Sequence, residues 1–355
     1  MTIEIVPNDQ SQALVDQVRA AIWNKRSLRI QGGNTKRHIG RDVDGEILST
    51  RMHSGIVSYD PSELVITARS GTLVSHLIDT LEEHDQMLPF EPPTFSGRAT
   101  AGGMVASGLS GPRRPWSGSV RDFVLGTRVI TGEGKLMRFG GEVMKNVAGY
   151  DLSRLMAGSF GCLGVITEVS FKVLPKPRKT LTLRLDLRAN EALDNIRRWR
   201  LQGEPLSAAC HTGTHLLLRL EGGEGSVEAA KRTIGGDVTT SAFWSDLREF
   251  ELPFFRDERP LWRLSVPMDT PLLDLPGDVL LDWGGAQRWL KSDAKSVDIR
   301  QAAHEAGGFA HCYTPSPEVE PFHPLSEGLM RYHHSLKSQL DPHHILNPGR
   351  LYAGL

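Results

Sequence analysis

The segment QGGNTKRHIG, at residues 31–40, contains the residue types that bind a phosphate anion, and it directly follows a short predicted strand. Gly32 and Gly33 have no Cβ atom, so successive backbone N–H groups can face a single point and form an anion nest. Asn34 and Thr35 add side-chain donors, and the lysine and arginine that follow add positive charge. The segment matches neither GxxxxGK[ST] nor GxGxxG, which excludes a Walker loop and a Rossmann fingerprint here. The segment predicts a pyrophosphate site, and the competing interpretation is an ordinary glycine turn.

Two further segments favour the pyrophosphate interpretation. PPTFSGRATAGGMVASGLSG, at residues 92–111, has the small residues of a flexible linker, but it lies between predicted elements of one domain, where long structureless loops are uncommon. Small side chains also let the backbone approach a flat ligand closely. KNVAGYDL, at residues 145–152, leads into GSFGCLGVITE, at residues 158–168. There, glycines bracket a predicted strand whose backbone could lie along a planar ring system.

The spacing of apolar and β-branched residues predicts the elements that position these segments. The predicted elements are a helix over residues 14–22, strands over 27–30 and 63–68, a helix over 73–81, a hairpin over 123–139, a short helix over 151–160 and a strand over 164–174. A basic, proline-bearing stretch at residues 176–180 is the predicted domain boundary. Alternating strands and helices beyond it indicate a second domain, which ends in a helix around residues 329–340 and the tail LDPHHILNPGR.

Length and charge limit the possible function classes. A chain of 355 residues favours two domains. Its 41 basic and 42 acidic side chains leave a net charge of -1, which excludes the basic field that nucleic-acid binding needs. The first ten residues lack the features of a signal peptide, and no segment reaches the roughly 20 apolar residues of a membrane span. We therefore expect a cytoplasmic protein, with a peripheral position at the inner membrane, through partners, as the alternative.

The three cysteines, Cys162, Cys210 and Cys312, are far apart in the sequence and form no CxxC pair. This spacing indicates neither a zinc site nor a disulfide framework. An iron–sulfur cluster usually needs four thiolates, more than the chain has. If the chain moves electrons, it has to pass them to another chain or to a small acceptor.

The ordered motifs GGNT, ATAGGMVAS, GSVRDFVLG, KNVAGYDL and LGVITE resemble those of the vanillyl-alcohol-oxidase, or PCMH-type, FAD-binding superfamily. The tail LDPHHILNPGR is similar to that of its 2-hydroxyacid dehydrogenase branch, and within this branch the chain most resembles the FAD-binding E subunits of glycolate oxidases. The resemblance implies an α+β fold with a FAD-binding domain of two α/β subdomains at residues 1–177. A smaller α+β capping domain is implied at residues 178–355, whose tail, residues 325–355, returns to the FAD domain.

The resemblance also implies which residues contact FAD. They are Gln31, Gly32, Gly33, Asn34 and Thr35 in the first cradle, Ala99, Thr100, Gly102, Gly103 and Ser107 in the second, Gly118, Ser119 and Asp122 toward the flavin, and Ile166 through its backbone. Covalent members of the superfamily carry a histidine directly after the paired glycines. Because Asn34 occupies that position, we predict non-covalent FAD, with His38 and His76 as unfavourable substitutes.

The implied reaction is the flavin-mediated oxidation of glycolate, or another small 2-hydroxyacid, with electrons passed onward. The implied partners are a larger catalytic flavin subunit and an iron–sulfur subunit. Catalytic relatives hold a metal through an HxGDGN segment, which this sequence lacks. HTGTH, at residues 211–215, is the nearest pattern, and it has no acidic partner, so we predict no metal and assign no catalytic residue.

Several functions and residue roles remain open at this stage. The alternatives are an autonomous FAD-dependent hydroxyacid dehydrogenase and a non-catalytic subunit in which FAD only stabilises the fold. Arg113 and Arg114 are interpreted as a solvated pair, with a substrate or partner contact as the alternative. His343 and His344 could approach the flavin if the tail folds back, although a surface role is favoured.

Overall fold

The computed structural model describes residues 8–141 and 151–355, so residues 145–150 of the KNVAGYDL motif lie outside the described residues. The described chain forms two compact units. Unit 1 comprises residues 8–110, 118–141, 151–175 and 324–355, and unit 2 comprises residues 111–117 and 176–323. The assignment of FAD-binding and capping roles to separate domains, at residues 1–177 and 178–355, stays a prediction.

The elements are numbered in chain order. The helices are α1 (Ser11–Asn24), α2 (Val74–Glu82), α3 (Ala101–Ser107), α4 (Arg114–Ser117), α5 (Val120–Phe123), α6 (Leu152–Leu155), α7 (Ala189–Leu201), α8 (Glu224–Ile234), α9 (Ala242–Glu249), α10 (Ser296–Glu305) and α11 (Glu327–Leu340). The strands are β1 (Leu28–Gln31), β2 (Glu46–Ser49), β3 (Ile56–Asp60), β4 (Val65–Arg69), β5 (Gln86–Met87), β6 (Val124–Ile130), β7 (Leu136–Gly140), β8 (Val165–Lys172), β9 (Leu174–Pro175), β10 (Lys179–Leu185), β11 (Leu206–His211), β12 (Leu216–Gly222), β13 (Asp237–Thr239), β14 (Leu261–Ser265), β15 (Asp278–Asp282), β16 (Gln287–Lys291) and β17 (Phe309–Cys312).

Unit 1 contains a five-stranded antiparallel sheet, in the order β3-β4-β8-β6-β7, and a separate parallel pair, β1-β2. The helical spacing of apolar residues in α1 buries Leu14 and Val18 against Leu28 of β1 and Leu346 of the tail. The five-stranded sheet packs its own apolar face against α2 and α3, in a separate core. The tail is therefore part of the core that supports β1, and β1 runs directly into the predicted phosphate loop.

Unit 2 contains an eight-stranded antiparallel sheet, in the order β13-β10-β12-β11-β15-β16-β14-β17. Its helices α7 and α8 pack against the β10–β12 half, and α10 packs against the half that contains β14 and β16. The mixed helix-and-sheet composition of the two units confirms the predicted α+β class.

Two local expectations differ from the structure. The segment ATAGGMVAS contains the helix α3, in which a Cβ atom on Gly102 would lie 2.6 Å from the Cβ of Ser70. The small residues there serve close helix packing as well as ligand approach. The predicted helix over residues 151–160 ends at Leu155, and the chain then turns through positive φ values at Gly158 and Phe160.

The interpretation of Arg113 as half of a solvated pair is wrong. Its side chain is buried and forms an ion pair with Glu221 inside unit 2. Arg114 is exposed, and its guanidinium carbon lies 4.4 Å from the ring centroid of Trp283. Sequence position alone could not reveal this difference, because both contacts join residues that are far apart in the chain.

Candidate functional site

A cleft in unit 1 encloses about 700 Å³ of space, part of it open to solvent. The strand β1, the loop that follows it, the helix α3 and the C-terminal tail all contribute to its walls. The described residues that line it are Arg29, Ile30, Gln31, Gly32, Gly33, Asn34, Thr35, Lys36, Arg37, Asp42, Val43, Thr100, Gly103, Ala106, Ser107, Phe160, Asn347 and Arg350. Its size is in the range of sites for organic ligands and cofactors.

The glycine pair is required by the close approach of two backbone segments. A Cβ atom on Gly33 would overlap the backbone carbonyl oxygen of Arg98, and one on Gly32 would overlap the hydroxyl of Thr100. The carbonyl of Arg98 belongs to the main chain and cannot rotate away. Only glycine therefore lets the loop after β1 lie against the segment before α3, which brings the two predicted cradles into one wall.

Three non-glycine residues in the cleft wall have left-handed backbone conformations. The φ angles are 54° for Asn34, 49° for Phe160 and 41° for Asn347. Asparagine tolerates this region, whereas a bulky residue such as phenylalanine is disfavoured there by roughly 1–3 kcal/mol. The surrounding contacts have to maintain these conformations, and such strain concentrates at functional sites.

Asn347 holds two walls of the cleft together. Its Oδ1 accepts the backbone N–H of Ile30 at 2.7 Å, and its Nδ2 donates to the carbonyl of Phe160 at 2.6 Å. A Cβ atom on Gly161 would lie 2.7 Å from this same Nδ2 atom, so the glycine there is also required. The amide thus fixes the distance between β1 and the turn before β8.

Arg350 holds the predicted phosphate loop from the tail side. Its guanidinium donates to the carbonyls of Lys36, at 3.1 Å, and Arg37, at 3.2 Å, and also to that of Arg41. Burial lowers the pKa of Arg350 from its usual value. The side chain remains a cation beside the loop, because arginine keeps its proton at neutral pH.

The charge and the polar atoms of the cleft suit an anion. Among the described lining residues, Arg29, Lys36, Arg37 and Arg350 are basic and only Asp42 is acidic. The Nε atom of Arg29 and the hydroxyl of Thr100 are buried without a hydrogen-bond partner among the described residues. Buried polar groups are normally paired, so these two atoms offer hydrogen bonds to a ligand. The residues present therefore fit the pyrophosphate of a dinucleotide.

The structure brings eight of the fourteen predicted cofactor residues to the cleft wall. These are Gln31, Gly32, Gly33, Asn34, Thr35, Thr100, Gly103 and Ser107. Ala99 and Gly102 are buried and do not line the cleft, and Ile166 lies in β8. Gly118, Ser119 and Asp122 lie at the start of α5, where the carboxylate of Asp122 accepts the backbone N–H of Ser119 at 2.8 Å. The cofactor contacts of all fourteen residues stay predictions.

Sequence reasoning missed Asn347 and Arg350 as residues of the cleft. The neighbouring His343 and His344, which it did consider, are exposed and do not line the cleft. The Asn-Pro-Gly motif in the tail was the available signal for Asn347, because these residue types often mark a turn with a constrained backbone.

In the described part of the chain, no group of three or more His, Cys, Asp or Glu residues could hold a metal ion. His211 of the HTGTH segment uses both ring nitrogens on the main chain of unit 2. Its Nδ1 accepts the N–H of Gly213 at 3.1 Å, and its Nε2 lies 2.9 Å from the carbonyl of Leu187. Across residues 8–141 and 151–355, no helix has the length and apolarity to cross a membrane.

Comparison with known proteins gives a family match for the part of the chain that contains β1 and α3. Residues 5–140 match a family described as FAD binding domain. Glycolate oxidase subunit GlcE of Escherichia coli (strain K12) is 57% identical over 347 residues, which cover 98% of this chain and 99% of that protein. Glycolate oxidase subunit GlcD of Bacillus subtilis (strain 168) is 34% identical over 139 residues, which cover 39% of this chain and 29% of that protein.

A solved structure supports the fold. The crystal structure of p-cresol methylhydroxylase with substrate bound superposes with a TM-score of 0.70 at 15% sequence identity, over 97% of this chain and 88% of that one. At this level of identity the likeness concerns the fold alone. It confirms the predicted PCMH-type architecture.

Proposed function

This chain belongs to the family of glycolate oxidase subunit GlcE, and we propose that it holds FAD non-covalently in the cleft of unit 1. Its activity is FAD-dependent oxidation of a CH–OH group, as part of a multi-subunit glycolate oxidase. The observation that carries the proposed location is the close approach of Gly33 to the backbone of Arg98, because it brings the two predicted cradles into one wall. The basic lining of the cleft then supplies the charge that a pyrophosphate requires.

FAD, when bound, supplies a ring that accepts a hydride from the carbon of the substrate. The residues of the chain bind and orient it. We propose that the backbone N–H groups of residues 31–35 and the hydroxyl of Thr100 face the pyrophosphate, while Arg350 holds the loop in place. The other proposed contacts are Ala99, Gly102, Gly103, Ser107, Gly118, Ser119, Asp122 and Ile166.

The side chains available support the proposal of non-covalent binding. A bond to the flavin ring needs a nucleophile such as an imidazole, thiolate or phenolate, and an asparagine amide is none of these. Asn34 occupies the position after the glycine pair, and the described residues that line the cleft include no histidine, cysteine or tyrosine. Acid precipitation of the purified protein is therefore expected to release the yellow colour into the supernatant. Colour that stays in the pellet would contradict this proposal.

The proposed partners are a larger catalytic flavin subunit and an iron–sulfur subunit. The three cysteines are all buried, Cys162 in unit 1 and Cys210 and Cys312 in unit 2. Burial raises the pKa of each thiol, which disfavours the thiolate form that a cluster needs. Electrons that leave the flavin therefore have to pass to a group outside this chain.

Anaerobic addition of glycolate to the FAD-loaded chain tests this division of labour. We expect the flavin band to stay oxidised in the isolated chain and to bleach when the partner subunits are present. Bleaching of the isolated chain by glycolate or D-lactate would instead identify an autonomous dehydrogenase. A flavin that stays oxidised even in the active complex would assign a structural role to the cofactor.

A further inference from the structure

A second cavity lies inside unit 2, on one face of the eight-stranded sheet. It encloses about 760 Å³ of space, part of it open to solvent, and is bounded by β14, β15, β16 and the loop at residues 272–277. Its walls are mostly aliphatic, with the buried side chains of Leu264, Leu281 and Leu290 at the sheet. A volume and lining of this kind are typical of sites for small organic molecules.

One buried cation, Arg288, lines this apolar cavity. Only 2% of the residue is exposed, and its guanidinium donates to the carbonyls of Gly285 at 3.1 Å, Pro271 at 2.7 Å and Thr270. These carbonyls satisfy N–H groups but carry no net charge. Within the described residues, Arg288 forms no ion pair, and burial lowers its pKa to about 10.

The other polar residues of the cavity do not neutralise this charge. Asp278 is exposed, and its carboxylate is paired with Arg259. His211 has both ring nitrogens engaged with the main chain, so it has no donor left for a ligand. A buried charge without a counter-ion is unfavourable by several kcal/mol, and an anion placed beside it offsets that cost.

We propose that this cavity binds a small organic anion that has an aliphatic body, with the carboxylate or similar group against Arg288 and the body against the leucines. The aliphatic walls favour a ligand with an aliphatic body, because binding buries the apolar area of that body. The uncompensated guanidinium favours a ligand with a negative charge, and its planar array of N–H groups matches the geometry of a carboxylate. This site lies within unit 2 and is separate from the cleft proposed for FAD.

The test measures binding of sodium octanoate and of neutral octanol to the FAD-loaded full-length chain by isothermal titration calorimetry. FAD loading keeps the probes out of the cleft of unit 1. We expect one octanoate per chain and at least ~10-fold weaker binding of octanol, because only octanoate brings a charge to Arg288. Failure of octanoate to bind, or equal affinity for the two probes, would overturn the proposal. This comparison of two ligands uses the wild-type protein alone.

Two variants of the same strand sharpen the test. R288M is expected to lower octanoate affinity at least ~10-fold and to leave octanol affinity unchanged. K291M is the matched control, because Lys291 is also buried and donates to the carbonyls of Asp257 and Arg259, at 2.6 and 3.0 Å. Lys291 does not line the cavity, since residues three apart in a strand point to opposite faces. A loss of octanoate binding in K291M equal to that in R288M would mean a structural effect, and the assignment to Arg288 would fail.

Discussion

Lys337 and Asp341 form an ion pair with a distance of 2.8 Å inside unit 1, and 1% of the lysine side chain and 0% of the aspartate side chain are exposed. The lysine Nζ also donates to the carbonyls of Cys162, at 2.8 Å, and Leu346, at 2.6 Å. The carboxylate of Asp341 accepts the backbone N–H of Leu346 at 2.8 Å and that of Ile345 at 3.2 Å. The pair therefore joins the end of α11 to the tail and to the turn before β8.

This ion pair determines where the tail places Asn347. Leu346 pairs with Leu28 of β1 in parallel, and the N–H of Leu28 donates to the carbonyl of Ile345 at 2.7 Å. Asn347 follows at once and reaches the cleft wall. Lys337 and Asp341 thus position a residue of the cleft without lining the cleft themselves.

We expect K337M to destabilise the fold and to weaken FAD binding. The substitution leaves the Asp341 carboxylate buried without its counter-ion, which is destabilising by about 3–5 kcal/mol. Thermal unfolding of the FAD-free protein measures the first effect, and fluorescence titration with FAD measures the second. K231M, which removes a lysine from the surface of α8 in unit 2, is the control and is expected to change neither. An unchanged unfolding free energy in K337M would contradict the prediction.

G33A is expected to abolish or strongly reduce FAD content while the chain still folds. The added methyl overlaps the carbonyl of Arg98, so the loop has to move away from the wall. Overpacking of this kind costs typically about 1–3 kcal/mol, and the same cost placed on the bound state lowers affinity roughly 5- to 150-fold. The ratio of flavin to protein absorbance in the purified protein is the measurement. G225A, at a helical position with open space around the Cβ, is the matched control and should retain full flavin content.

Two variants of Asn347 separate the effect of its bridging hydrogen bonds from the effect of a negative charge at its position. N347A removes both hydrogen bonds between β1 and the turn at Phe160, and we expect faster dissociation of FAD. N347D keeps an acceptor for Ile30 but loses the donor and brings a negative charge to a cleft proposed for a pyrophosphate. The effect of N347D should therefore be larger, and it should diminish as salt screens the repulsion. Stopped-flow measurement of FAD release at low and high salt checks both, and equal rates for the two variants would contradict the charge argument.

The stability of unit 1 is expected to fall between about pH 6.5 and pH 4 because of His53. Burial lowers the pKa of this histidine to about 4, and its Nδ1 accepts the N–H of Gln10 at 2.9 Å. An unfolded chain takes up the proton near pH 6.5, so it binds more protons than the folded chain across this window. The stabilising contribution is complete above pH 6.5 and is lost as the pH falls toward 4.

The neighbouring Asp9 does not titrate in this window. A hydrogen bond from the Ser11 side chain, the largest cause, and the charge of Arg69 hold the pKa of Asp9 at about 2. H53Q is the variant to compare, because glutamine is not titratable. Urea unfolding at a series of pH values should show a steeper decline for the wild type than for H53Q, and parallel curves would count against His53 as the cause.

Local sequence was sufficient to predict a phosphate loop at residues 31–40 and to locate the main elements around it. The absence of a Cβ atom at Gly32 and Gly33 and the donors of Asn34 and Thr35 act within a few residues, so their pattern can be interpreted without a fold. The helical spacing in α1 and the β-branched content of β4 and β8 are local as well. Asn34, in the position that a histidine takes in covalent relatives, determined the prediction of a dissociable flavin.

Tertiary structure alone decided which distant residues complete the site. The hydrogen bond from Ile30 to Asn347 joins positions 317 apart in the sequence, and the one from Lys337 to Cys162 joins positions 175 apart. Such contacts depend on where the core places whole elements, because neither partner has a local pattern that specifies the other. The same reason explains why the ion pair of Arg113 with Glu221 and the buried cation Arg288 were not predicted. Burial and charge compensation are properties of the packed chain. They determined that Asn347 and Arg350 of the tail line the same cleft as the loop that contains Gly32 and Gly33.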